Sequence, residues 1–253
     1  MLPFAKNYDE EYDAKLVAKV CEGSITALAE LLGHHEPFIF SIAVRMLRTE
    51  KRAVLFTNAL LVKILLYVRL IPADCSFRTW LYRTVSTSLI DFDVNNPDES
   101  RYDFETLGRQ IDLDTNLPSM SEYEEQYFTQ KVSAIAHTCQ QKALSCLSAS
   151  SRLVFIYQTI FDVPLEEVLT STKQTPADIN EHIRSTKKQL RAHMNERCSL
   201  IKPGNPCRCS RRAKYYIDNN IHFTSHNLSY NRLTVNDLIS DDGVNTEVKD
   251  EHY

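Results

Sequence analysis

Between Cys75 and Arg83 the chain reads CSFRTWLYR. On a helix, Phe77, Trp80 and Leu81 fall at i, i+3 and i+4 and share one face, with Arg78 and Arg83 flanking it. Rings interleaved with guanidinium groups suit unpaired nucleic-acid bases, which stack on the rings while the arginines hold phosphates. The same spacing also describes an ordinary amphipathic helix with a buried tryptophan. A second set, Arg184, Lys187, Lys188 and Arg191, recurs at i+3 and i+4 steps, the pattern of a cationic helix face.

Cys198, Cys207 and Cys209 form a third set, spaced C-x8-C-x-C, with His193 five residues before the first. Three thiols and an imidazole are a ligand set for a tetrahedral zinc ion, although the usual C-x2-C knuckle is absent. Thiols beside Arg208, Arg211 and Arg212 also fit a redox sensor, because positive charge favours the thiolate. The plainest reading is a basic tail with incidental thiols, so no metal is assigned. Cys21, Cys75, Cys139 and Cys146 lie in helical patterns and read as core residues. No paired carboxylates, nucleophile motif or glycine-rich phosphate loop stands out, so neither an enzyme nor a cofactor is expected.

Helices must position these groups. The 253 residues are 43% apolar, which excludes disorder throughout, and 5 Gly with 9 Pro exclude a collagen-like or linker protein. Seven Cys, an odd number without a secretory leader ahead of them, argue against a disulfide scaffold, and a cytoplasmic protein with reduced thiols is expected. Apolar residues recur near a 3.6 period from Tyr12 to Met46, punctuated by Gly23-Ser24, with Pro37 suited to opening a further helix. Ala53 to Ile71 is nearly continuous apolar sequence stopped by Pro72, and Phe77 to Phe92 is helical again. The cluster VNNPDES opens an acidic, weakly periodic stretch. Helical patterning returns over Glu124 to Leu147, Ser151 to Phe161, Leu165 to Thr170 and Pro176 to Met194, and no period is clear after Cys198. Strand-like alternation is scarce.

The expected fold is all-α: two small helical domains, 8–95 and 125–196, joined by an acidic linker over 96–124. A Cys-containing tail, first basic and then acidic, follows over 197–253. The 19 apolar-rich residues from Ala53 to Ile71 approach the ~20 needed for a bilayer span. Lys63 and Asn58 near its centre oppose insertion, a central Lys costing roughly 3 kcal/mol. A buried helix is the better reading, and no membrane insertion is expected.

The net charge of −4 argues against a nucleic-acid partner when taken globally. By segment it divides. Residues 87–125 hold 11 acidic and 2 basic groups, residues 173–214 hold 11 basic and 3 acidic, and the remainder after 215 holds 7 acidic and 2 basic. A basic stretch between acidic ones sets up a local positive field, although a charge run is often just a solvated helix face.

SFRTWLYRTVSTSLIDF resembles the promoter-melting segment of bacterial RNA polymerase sigma factors of the extracytoplasmic-function group. Upstream, the Gly23-Ser24 turn, Ala27 to Leu32, Ile42-Ala43 and Arg45-Met46-Leu47 fit the same group. Downstream, Leu147, Arg152, Val154-Phe155, Leu165-Glu166-Glu167-Val168 and Leu190 resemble its C-terminal promoter-reading domain. Together the two blocks cover about 130 residues of the chain. The resemblance implies two all-α domains on a flexible linker, with promoter DNA and RNA polymerase core as partners and no catalytic residue. It leaves room for an anti-sigma factor as an inhibitory partner. Single-stranded promoter bases would meet Phe77, Arg78, Trp80 and Arg83. Leu165 to Thr170 would support a recognition helix from Pro176 to Met194, with Asn180, Glu181 and His182 at the base-reading positions. Arg184, Lys187, Lys188 and Arg191 would then contact phosphates.

The sequence departs from that pattern in three places. The family's polymerase-docking helix carries several acidic residues and a glutamine; here the matching places hold Arg52, Val54, Leu55, Asn58 and Ala59, and only Thr57 and Lys63 match closely. Charge pairing with a basic partner does not survive such a change, so the docking is either apolar or redirected to another protein. After Asp91 the usual basic residues are replaced by DFDVNNPDES. In the turn of the second domain Lys173 stands where glycine is usual, so either it bears a strain on the order of 1 kcal/mol or the turn differs. Two functions from different classes follow: a sigma-like initiation factor, or a helical interaction module on that scaffold with altered or lost polymerase docking. A regulator using only its second domain on DNA is a third.

Overall fold

The structure is a computed structural model that describes residues 8–96, 103–114 and 116–221. Part of the expected linker and the acidic end of the tail lie outside the described residues. Within them the chain is helical, without strands: α1 Glu10–Cys21, α2 Ile25–Leu47, α3 Glu50–Tyr67, α4 Phe77–Asn95, α5 Phe104–Asp114, α6 Glu122–Tyr127, α7 Thr129–Ser145, α8 Ala149–Phe155, α9 Leu165–Thr172, α10 Pro176–Met194 and α11 Cys209–Asp218. A π-helical turn, Ile156–Ile160, continues α8.

Local chemistry sets most of the boundaries. Asp9, Ser24, Thr49, Ser76, Ser148 and Thr175 each cap the helix that follows through a side-chain oxygen. Pro37 does not open a helix. It lies inside α2, because Leu31, His35, Phe38, Ile39 and Ile42 bury one face across it, and that packing outweighs the ~3 kcal/mol of an interior proline. The stretch after Cys198 also differs from its reading. Ala213, Tyr216 and Ile217 fall at i, i+3 and i+4 of α11 and pack with Met120, Ile135, Phe128 and Val132.

One continuous apolar cluster runs from Leu16 to Met194, so helices of both expected domains share a core among the described residues. Phe38 of α2 meets Phe161 edge to face at 4.7 Å, and Ser86 of α4 shares a buried 2.9 Å hydrogen bond with Tyr157. The acidic stretch is not bare linker: α5 buries Leu107 and Ile111. Its carboxylates meet the basic segment, with Asp112 on Arg197 at 3.3 Å, Asp114 on Arg212, and Glu124 on Lys214 at 2.9 Å. Hydrogen bonds from Lys214 and Ser121 hold the Glu124 carboxyl down to about 2.

A buried polar knot ties α1 to α2 and α4. The Asp13 carboxylate accepts from Tyr8 and lies 2.6 Å from His35 Nε2, whose Nδ1 reaches Tyr82 at 3.2 Å. Burial pushes Asp13 upward, but the hydrogen bonds from His35 and Tyr8 outweigh it and hold the carboxyl below its ordinary value. A carboxyl lowered by folding stabilises above its unfolded pKa of about 3.9 and loses that contribution as pH falls through the folded value. Asp13→Asn is therefore expected to cost about 1–3 kcal/mol at pH 7. Denaturant titrations should show the gap from the parent protein shrinking below about pH 4.

Candidate nucleic-acid interface

α9 and α10 are joined by residues 173–175, a helix–turn–helix connection. Lys173 sits in the left-handed region at φ 57° and donates its N–H to Leu169 O at 2.9 Å, so the turn keeps the shape glycine favours and the lysine bears the strain. Thr175 and Asp178 form a capping box around Pro176, which needs no N–H at that position. Ile179, Ile183, Thr186 and Leu190 bury the inner face of α10.

Glu181, Arg184 and Lys188 stand exposed on the outer face, and Lys187 and Arg191 are half-exposed beside them. Arg184 donates Nε to Glu181 Oε2 at 3.0 Å, a surface pair that water screens and a phosphate can replace. The other two reader positions turn inward. His182 shares hydrogen bonds with Ser151 Oγ at 2.9 Å and the Gln174 amide at 3.2 Å, while the buried Asn180 Oδ1 has no partner.

The aromatic face of α4 is engaged. Phe77 is buried and Trp80 half-buried, their rings 6.1 Å apart. Arg78 Nη2 lies 2.6 Å from Glu167 and 3.6 Å from Glu10, with its guanidinium 5.3 Å over the Tyr8 ring. Arg83 donates Nε to Thr170 O at 3.3 Å. Both arginines that flank the tryptophan thus reach α9.

α3 buries Ala53, Phe56, Thr57, Leu60 and Ile64 and leaves an apolar strip outside. Leu55, Leu66 and Leu70 are 55%, 64% and 70% exposed, and Val54, Val62 and Leu65 lie with them. Asn58, Ala59 and Lys63 share this outer side, Lys63 donating to Ser88 Oγ at 3.0 Å. Arg52 is turned away: it donates to Asn96 O at 2.7 Å and lies 3.8 Å from Asp93. Glu50–Leu70 is long and apolar enough to cross a membrane by length and composition, and 33% of its most apolar 18-residue window is buried.

Cys198 and Cys207 pair across an isolated parallel bridge, with Cys209 two residues on at the start of α11. Among the described residues, no group of three or more His, Cys, Asp or Glu side chains is arranged to hold a metal as it stands. The sequence reading missed Cys139 of α7, which lines the same cavity as these three thiols. No spacing links it to them.

No protein-family model matches the chain, and no curated protein matches it. The described residues form an all-α fold in which α9 and α10 are joined by a three-residue turn and the second of the two helices exposes Arg184 and Lys188.

Proposed function

We propose that the protein is a sigma-like transcription initiation factor, reading promoter DNA with α10 and bringing RNA polymerase core to it. In this reading, 8–95 is the polymerase-binding and promoter-melting unit and 125–196 is the DNA-reading unit. The observation that carries it is the outer face of α10, where Glu181, Arg184 and Lys188 are exposed directly after a capped turn. An α-helix with that face fits the major groove, its N-terminal residues at base edges and its later cations on phosphates. Run-off transcription with purified core enzyme tests the proposal. Promoter-dependent transcripts support it, and no association with core enzyme under conditions where a standard sigma factor binds overturns it.

Strand opening by Trp80 requires α4 to part from α9, because Arg78 and Arg83 are held there. Removing the Glu167 carboxylate frees one of the two holds. Glu167→Ala is expected to raise affinity for single-stranded DNA severalfold, read by fluorescence anisotropy with a labelled oligonucleotide. No change would show that the contact does not limit access to the indole.

A second reading, an interaction module without polymerase docking, is favoured by the exposed apolar strip of α3. Joint Val54→Glu and Leu55→Glu substitution separates the two. A more than tenfold loss of core-enzyme binding identifies an apolar docking surface, whereas a gain shows that these two residues had replaced the docking charges.

A further inference from the structure

Cys139, Cys198, Cys207 and Cys209 line a single cavity of about 30 Å³ together with His193 and Arg197. Three of the four thiols share one face for backbone reasons. Ser199 N–H donates to Cys207 O and Cys207 N–H to Arg197 O, which sets Cys198 and Cys207 side by side in a parallel bridge, and bridge partners point to the same side. Arg208 is extended at φ −127° and ψ 127°, so Cys207 and Cys209, two residues apart, also share a side. The Asn205 amide clamps this loop, donating to Asn195 O at 2.8 Å and Cys198 O at 3.0 Å. Across the cavity, α7 supplies Cys139 and α10 supplies His193, whose buried Nε2 has no hydrogen-bond partner.

We propose that these four thiols form a structural site for a thiophilic divalent ion of the zinc class, tying α7 to the segment that leads into α11. Four thiols on one cavity with room for one ion are the donor set of tetrathiolate coordination, although no three of them are arranged to hold an ion as they stand. Each sulfur is one χ1 rotation from another staggered position, and loading draws them together into the cavity they already line. One divalent ion and four thiols give the tetrathiolate complex and four protons, which pass to solvent. The complex carries two negative charges, faced by Lys142 near Cys139 and by Arg197 and Arg212, each of which also holds a carboxylate, Asp112 and Asp114.

A further observation favours a metal staple. The apolar cluster beneath α11 is small, with Met120, Ile135 and Ala213 its buried members. A helix held by so little core gains most from a metal staple.

The test is metal content and cobalt(II) substitution on the full chain, purified under reducing conditions. One zinc per chain is expected, released by a thiol-blocking mercurial, and cobalt should give the intense near-ultraviolet charge-transfer band of tetrahedral thiolate ligation. Cys139→Ser and Cys207→Ser should each lose more than tenfold in zinc affinity, whereas Cys21→Ser with Cys75→Ser should bind as the parent does. Should the first two variants fail to fold, the cobalt spectrum of the parent chain decides alone. The assignment is overturned by a parent chain that binds no zinc or cobalt, by a cobalt spectrum without thiolate bands, or by unchanged binding in Cys139→Ser. Disulfides among these cysteines in the reduced, metal-supplemented protein would also overturn it.

Discussion

Replacing Arg152 with methionine is expected to cost about 3–5 kcal/mol and to lower the melting temperature by about 10 °C. The guanidinium is fully buried. Its Nε donates to Leu144 O at 3.0 Å, and Nη2 donates to Ser145 O at 3.2 Å and Leu147 O at 2.9 Å. Nη1 reaches Met46 O and lies 3.5 Å from Asp93 Oδ2. Leu144 and Ser145 close α7, and Met46 is in the last turn of α2, so one cation satisfies carbonyls that two helix ends leave open. Methionine fills similar volume but donates nothing, leaving these acceptors and the Asp93 carboxylate buried without their partner. Lysine keeps the charge with fewer, differently placed donors, so Arg152→Lys should fall between the two. Calorimetry with the three proteins checks the order. A methionine variant as stable as the parent would mean that water or a shifted helix end replaces the guanidinium.

The same arginine shows where the sequence was legible and where it was not. Helix existence could be read wherever apolar residues kept a 3.6 period, as in α2, α7 and α10. Serine and threonine caps, which periodicity does not register, set several of the starts in the fold. Local propensity misplaces Pro37 because a buried stripe on both sides of it outweighs that propensity. α11 was missed because its apolar positions, Ala213, Tyr216 and Ile217, are too few to show a period within ten residues. The largest gap concerns charge. The basic stretch 173–214 reads as one positive field, yet Arg197, Arg212 and Lys214 meet Asp112, Asp114 and Glu124 from the supposed linker. Pairing across that many residues leaves no local pattern. The sequence pattern likewise assigns Arg78 and Arg83 to phosphates, while Glu167 and Thr170 O are their partners in the fold. Composition reports how many charges a segment holds; only the tertiary structure reports which of them still face solvent.

That distinction sets the second large effect. If all 11 basic residues from 173 to 214 met phosphates, the logarithm of DNA affinity would fall with the logarithm of salt at a slope near −10. With the contact confined to Arg184, Lys187, Lys188 and Arg191, the slope is expected to be about −4. Joint Arg184→Ala and Lys188→Ala should reduce its magnitude by about 2 and weaken binding more than tenfold at low salt. Both side chains are exposed and away from the core, so thermal stability should stay within about 0.5 kcal/mol of the parent. The phosphate contribution does not depend on sequence, so a random duplex serves and the promoter need not be known. Anisotropy titrations from 50 to about 200 mM salt give the slopes directly. Arg211→Ala and Arg212→Ala together form the control: α11 lies on α7, with Arg212 committed to Asp114, so this pair should leave the slope nearly unchanged. A larger effect from α11 than from α10 would move the DNA contact to the far end of the basic segment and remove α10 as the reading helix.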